Sequence, residues 1–128
     1  MREAVVAVVT NRDRMLLIQR GAAVPDAGYW APPSGEVEPG ESQDAAVIRE
    51  VREEVGLTIR PLRKVWESLS ASGTHKLHWW LAEYAGGELK LDPSEINDAR
   101  WLKAEEVLRL KPTFAGDREF FSSVFPRL

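Results

Sequence analysis

The sequence predicts an α/β fold in which helices pack around a mixed β-sheet. Three observations predict it. The run "AVVAVVT" (4–10) has the continuous, β-branched apolar character of a buried strand. Between Ser42 and Gly56 the apolar residues recur at helical spacing instead. Strand-like runs and further helices then alternate to the end of the chain.

The 128 residues suffice for one hydrophobic core and are too few for two, so 1–128 is expected to form a single domain. With 44% hydrophobic and 29% charged residues the chain is globular in composition, not disordered. A formal net charge of -3 argues against broad electrostatic binding to nucleic acid or to an anionic membrane. An anionic substrate would therefore need a local cation. Cysteine is absent, which excludes a disulfide framework and a cysteine-ligated zinc site. The first apolar run breaks at Asn11, short of a secretory signal, and no run reaches the length of a membrane span. A cytoplasmic monomer or homodimer, with neither nucleic acid nor membrane as partner, is the expectation.

In chain order, "NRDR" turns the first strand into a second, "MLLIQR" (15–20), as a hairpin. Residues 21–41 hold much of the Gly and Pro and read as a long irregular segment with at most a short strand; long loops in compact domains are often functional. Ser42 is a good helix N-cap, Asp44 suits the positive end of the dipole, and Gly56 is a plausible stop. Ala45, Ile48, Val51 and Val55 would form the apolar face, with the glutamates opposite. "LTIRPLRKVWESLSAS" reads as a strand interrupted at Pro61, "HKLHWWLAEYA" as another that turns at Gly86-Gly87, and "INDARWL" (96–102) as a shorter one. "AEEVLRL" and Asp117 to Val124 read as helices.

The chemistry concentrates in "REVREEVG" (49–56). On a helix Glu50, Glu53 and Glu54 span about a quarter of the circumference, and like charges so placed repel. Taken alone, the three with Arg49 nearby fit a solvated face. They also fit a site for a hard divalent cation, since Mg²⁺ takes one or two carboxylates with phosphates and water, and a remaining carboxylate can orient or deprotonate water.

The wider spacing decides between these. Gly35, Glu41, Arg49, Glu50, Val51, Glu53, Glu54, Gly56 and Leu57 stand as G-x5-E-x7-R-E-U-x-E-E-x-G-U, with U aliphatic. Chance agreement at all of them is below about 10⁻⁸ per frame. The pattern resembles the complete Nudix box, in "GEVEPGESQDAAVIREVREEVGL" (35–57). A Val-rich first strand, "LLIQR" and "ARWL" extend the resemblance, more loosely, over nearly the whole chain.

The resemblance implies an α/β/α sandwich around a mixed sheet and a Mg²⁺- or Mn²⁺-dependent pyrophosphohydrolase. Its substrate would be a nucleoside triphosphate or a nucleoside diphosphate derivative, cleaved by water attack on phosphorus. Glu50 and Glu54 become metal ligands. Glu53 binds a further metal or activates water, and Arg49 orients the glutamates. Glu41 is structural. Glu95 and Asp98 are candidates for an acidic residue supplied by a later loop. Where the family commonly has Pro-Gly-Gly, this chain has Pro33-Ser34-Gly35, and the Ser34 carbonyl would take the place of a backbone metal ligand. A Nudix-fold domain that binds nucleotide without catalysis is the alternative; the intact carboxylates favour the enzyme.

For substrate contacts, Arg20 is a candidate phosphate partner, and Tyr29 and Trp30 are candidates to stack on a base. His75 and His78 have no metal-ligand spacing and read as surface or packing residues, Trp66 and Trp101 as core. "PTFAGDREFF" (112–121) either covers the site or packs a helix. Downstream markers of the family's ADP-ribose and diadenosine polyphosphate subclasses are missing from "SASGTHK", so the substrate stays open.

Overall fold

The long first strand, β1 (Arg2–Asn11), organises the molecule. Both of its faces are buried, as a continuous Val/Ala run requires: Val5, Ala7 and Val9 enter one core and Val6 and Val8 another. The computed structural model describes all residues, 1–128. The expected hairpin forms, with Arg12 at positive φ in the turn to β2 (Arg14–Arg20). It pairs only at Thr10↔Met15 and Asn11↔Arg14, and then the two strands splay apart. Two short strands fill the wedge. β3 (Trp30–Ala31) pairs with β2, and β4 (Ser34–Glu36) pairs with β1.

After α1 (Gln43–Val55) come β5 (Thr58–Leu69), β6 (His75–Gly86) and β7 (Ile96–Leu102). β6 lies parallel to β1 from Arg2↔His75 to Thr10↔Glu83, and the other strand-to-strand pairings are antiparallel, so the sheet is mixed. β5 forms the outer edge and absorbs Pro61 at a register shift, where a missing N–H is tolerated. β7 pairs with β2. The chain ends in α2 (Ala104–Val107), a single turn, and α3 (Ala115–Glu119), which runs on into wider and then tighter turns through Arg127.

Two cores follow from this layering. On one side of the sheet Ala46, Val47, Val51 and Val55 of α1 pack on Val5, Ala7, Val9, Leu16 and Ile18. On the other, Val107, Phe120 and Phe121 pack on Val8, Met15, Leu17 and Trp79, with Phe120 stacked on Trp79 at 4.4 Å between ring centres. This is the expected α/β/α sandwich. Trp66 and Trp101 pack against the second and first core respectively.

Ser42 caps α1 by accepting the Ala45 N–H, and Gly56 ends it at φ 75°, both as read from the sequence. The helix is rotated from its expected setting, however. Ala45 is exposed and Ala46 and Val47 are buried in its place. Glu50 and Glu54 then lie on the Val47/Val51 stripe, at i+3 and i+7 from Val47, and not opposite the apolar face.

Candidate functional site

The rotation of α1 brings two of its three glutamates into a cavity of about 860 Å³. Glu50 and Glu54 line it with Ser34 and Gly35 of β4, Arg20 at the end of β2, and Glu95 just before β7. The cavity opens where β1 and β2 part, so that loops before, after and across the splayed hairpin form its walls.

Glu54 is 9% exposed, and its Oε2 has no hydrogen-bond partner. Burial, reinforced by the charges of Glu50 and Glu95, pushes its carboxyl up to about 9, against the pull of a Ser34 backbone hydrogen bond and of Arg20. Burial also raises Glu50, although Arg49 donates to it from Nη1 at 2.7 Å. Gly35 belongs where it is because a Cβ there would collide with the Glu50 carboxyl. A sealed, unpartnered carboxylate oxygen and a strand stripped of its side chain beside a second carboxylate suit a hard cation. No three acidic or imidazole side chains converge into a complete ligand cage. Mg²⁺ does not require one, since phosphates and water complete its shell.

Arg49 holds the acidic face together. It donates from Nε to Glu41 Oε2 at 2.8 Å, from Nη1 to Glu50 and Glu53, and from Nη2 to the Glu36 carbonyl at 2.9 Å. Its hydrogen bonds hold the Glu41 carboxyl down at about 2, and Glu41, with Glu50, favours the charged guanidinium. Glu41 is thus a structural anchor, as the resemblance implied. Glu53 differs from its neighbours: its side chain is 59% exposed, it pairs with Arg49 at 3.2 Å, and it stands outside the cavity walls.

Of the two later acids, Glu95 lines the cavity and Asp98 does not. Asp98 accepts from its neighbour Ala99 N–H and from Arg100 Nε, within the β2–β7 ladder. Arg20 lines the cavity and donates from Nε to the Pro25 carbonyl. Trp30 corrects an expectation: at 5% exposure it is buried in the second core, with the Arg100 guanidinium 4.7 Å from its ring centre, so its face is not offered to a base. Tyr29 packs on Phe114 at 4.8 Å between ring centres, and it is Phe114 that lines the cavity.

Sequence reasoning missed Asp117. It lines the cavity beside Phe114–Gly116, its Oδ2 is sealed and unpartnered, and burial pushes it up to about 7. The segment "PTFAGDREFF" therefore does both things considered for it, since Phe120 and Phe121 pack the core. The only local signal was an acid directly after Gly116, at the start of the charged triplet Asp117-Arg118-Glu119 between apolar residues. His75 also lines the cavity, while His78, at 4% exposure, sits buried against Glu3 at 3.0 Å.

The architecture first defines a class of fold. The structure is similar to that of the MutT protein from Methanosarcina mazei Go1, with a TM-score of 0.84, 28% identity, and 98% of this chain and 94% of that one covered. The family follows: the NUDIX domain family model matches residues 1–124, and the chain belongs to the Nudix family. Among curated proteins it is 40% identical over 105 residues to the NAD-capped RNA hydrolase NudC of Stutzerimonas stutzeri, covering 81% of this chain and 37% of that protein. It is 32% identical over 120 residues to the NudC of Deinococcus radiodurans, covering 93% and 42%. The chain therefore spans less than half the length of these relatives. No helix is long and apolar enough to cross a membrane.

Proposed function

We propose that this chain is a divalent-cation-dependent pyrophosphohydrolase that cleaves a phosphoric anhydride bond in a nucleoside triphosphate or a nucleoside diphosphate derivative. The observation that carries the reading is Glu54 Oε2, a carboxylate oxygen sealed in a cavity wall with no partner in the protein. Leaving such a group unsatisfied costs about 1–3 kcal/mol or more. A cation would remove that cost.

Glu54 and Glu50, with the Ser34 carbonyl, would hold Mg²⁺ or Mn²⁺. When bound, the cation would neutralise substrate phosphates and polarise the attacked phosphorus. Arg49, which donates to both Glu50 and Glu53, orients them. Arg20 supplies the local cation that an acidic protein needs to receive a phosphate. Water attacks phosphorus, the new P–O bond forms as the anhydride P–O bond breaks, and a carboxylate takes the water's proton. Glu95, which lines the cavity, would be the acceptor. Glu53, outside the cavity walls and paired with Arg49, would serve as a further ligand or orient water. Val6, Leu77 and Phe114 provide an apolar wall for a base, with Asp117 at its edge.

The relatives' names add substrates to test. NAD and an NAD-capped RNA 5′ end both contain the required anhydride, and the capped end would bring nucleic acid to a chain whose charge gives no general affinity for it.

The experiment is turnover of a panel with Mg²⁺ in ¹⁸O-water: nucleoside triphosphates, ADP-ribose, NAD, diadenosine polyphosphates and NAD-capped RNA. Label in a phosphate product is expected. Binding of the panel without hydrolysis of any member would favour the non-catalytic domain.

A further inference from the structure

We propose that His75 is a positioning residue that couples the β5–β6 turn at the mouth of the cavity to the strand that seats Glu50. His75 opens β6, next to a turn whose Ser70, Ser72 and Thr74 all line the cavity. Its Nε2 lies 2.6 Å from Glu36 Oε1, reaching over β1 to β4. Its Nδ1 lies 2.8 Å from Thr74 Oγ1, which is 2.7 Å from Ser72 Oγ. The ionised Glu36 accepts, so Nε2 carries the proton. In the neutral ring Nδ1 then accepts from the Thr74 hydroxyl, and the turn's hydroxyls are oriented by the imidazole.

Glu36 faces the reacting centre through its backbone. Its carbonyl accepts the Arg49 Nη2, the same guanidinium donates to Glu50 at 2.7 Å, and its neighbour Gly35 abuts the Glu50 carboxyl. The His75 hydrogen bond is the largest influence holding the Glu36 carboxyl below its usual range. A chain of polar contacts therefore runs from the turn hydroxyls through one imidazole to Glu36, and from there to Arg49 and Glu50. A ligand that engages those hydroxyls disturbs the chain at one end, and Glu50 sits at the other.

The imidazole is not needed to close the turn. Ser70 N–H donates to the His75 carbonyl at 2.9 Å, and His75 N–H donates to Ser70 Oγ. Nor is it needed for stability, since Glu36 is half exposed and such pairs contribute little. Residues that neither close the turn nor support the core are free to serve the site.

The effect on turnover rests on the reading of Glu50 as a metal ligand; the coupling itself is measured without metal. The experiment is a double-mutant cycle of His75→Ala and Glu36→Ala, with His75→Gln as the conservative variant. In metal-free protein, His75→Ala is expected to shift the Arg49 Nε–H and Gly35 amide resonances, with the melting temperature unchanged. With Mn²⁺ and substrate, kcat should fall about 3- to 10-fold with a smaller change in KM. Gln, which offers an N–H where Nε2–H stood, should restore most of both. In the Glu36→Ala background, His75→Ala should add nothing. Unmoved Arg49 and Gly35 resonances, or additive effects in the cycle, would overturn the proposal. If no variant turns over, wild type included, the hydrolase reading fails and the resonances alone decide the coupling.

Discussion

Glu53 and Glu54 are adjacent in sequence and opposite in circumstance. Glu54 is 9% exposed, faces a cavity, and has its carboxyl pushed up to about 9. The Glu53 side chain is 59% exposed and rests against Arg49. One helical step of about 100° separates a group that the protein cannot ionise cheaply from one bathed in water. The helix supplies identical backbones and identical side chains. The difference comes from what stands opposite: β4 and the Glu95 loop on one side, and solvent on the other. A carboxylate in the first setting bears the cost of its missing partner, and one in the second is satisfied by Arg49 and water.

The largest expected effect would test that contrast directly. Glu54→Gln should lower turnover about 10³-fold and weaken Mn²⁺ binding, measured by titration with a nucleotide analogue present. Glu53→Gln should cost less, about 10²-fold, with Mn²⁺ affinity closer to wild type. A reversed order would mean that exposure in the metal-free protein does not rank the two glutamates.

A smaller effect tests the far end of the cavity. Asp117→Asn exchanges a carboxyl that burial pushes up to about 7 for an amide that stays neutral, with one acceptor and an N–H₂ donor. The ratio of kcat/KM between guanine and adenine nucleotides should change about 10-fold or more, with kcat on the better base little changed. An unchanged ratio would remove Asp117 from the substrate's reach.

The smallest effect is on stability, and its sign follows from burial. The folded carboxyl of Glu54 holds its proton up to about 9, against an ordinary value of 4.5. Its contribution is therefore fully present below about pH 4.5 and is lost as the pH rises toward 9. Asp117, raised to about 7, acts in the same direction, whereas Glu41 and Glu67, both held near 2, lose their contributions only on acidification below this window. In chelator, Glu54→Gln should be more stable than wild type at pH 8.5 by about 1 kcal/mol or more, and the gap should close toward pH 5. Thermal melts across that range measure it. Saturating Mn²⁺ should stabilise wild type and leave the variant nearly unmoved.

Much of this was legible in the chain. β1 declares itself because Val and Ala without a polar partner can only be buried on both faces. Ser42 and Gly56 bound α1 because capping depends on a side-chain oxygen and a left-handed residue, both local properties. The box spacing pointed to Glu50, Glu54 and Arg49 by the same kind of local rule. The setting of α1 was not legible because Ala45 and Ala46 both satisfy an apolar stripe, and a stripe drawn through Ala45 puts the glutamates opposite the apolar face. The stripe through Val47 and Val51 already contained them.

The sequence by itself determined the five longer strands, the capped helix and the family, since hydrophobic period, turn residues and motif spacing act over a few residues at a time. Only the tertiary structure decided which glutamate loses water, that Trp30 belongs to a core, that Asp98 is spent in a ladder, and that His75 and Asp117 share a cavity with Glu54. Desolvation and convergence are set by neighbours tens of residues away along the chain, and those neighbours meet only because β1 and β2 part and other segments close the gap.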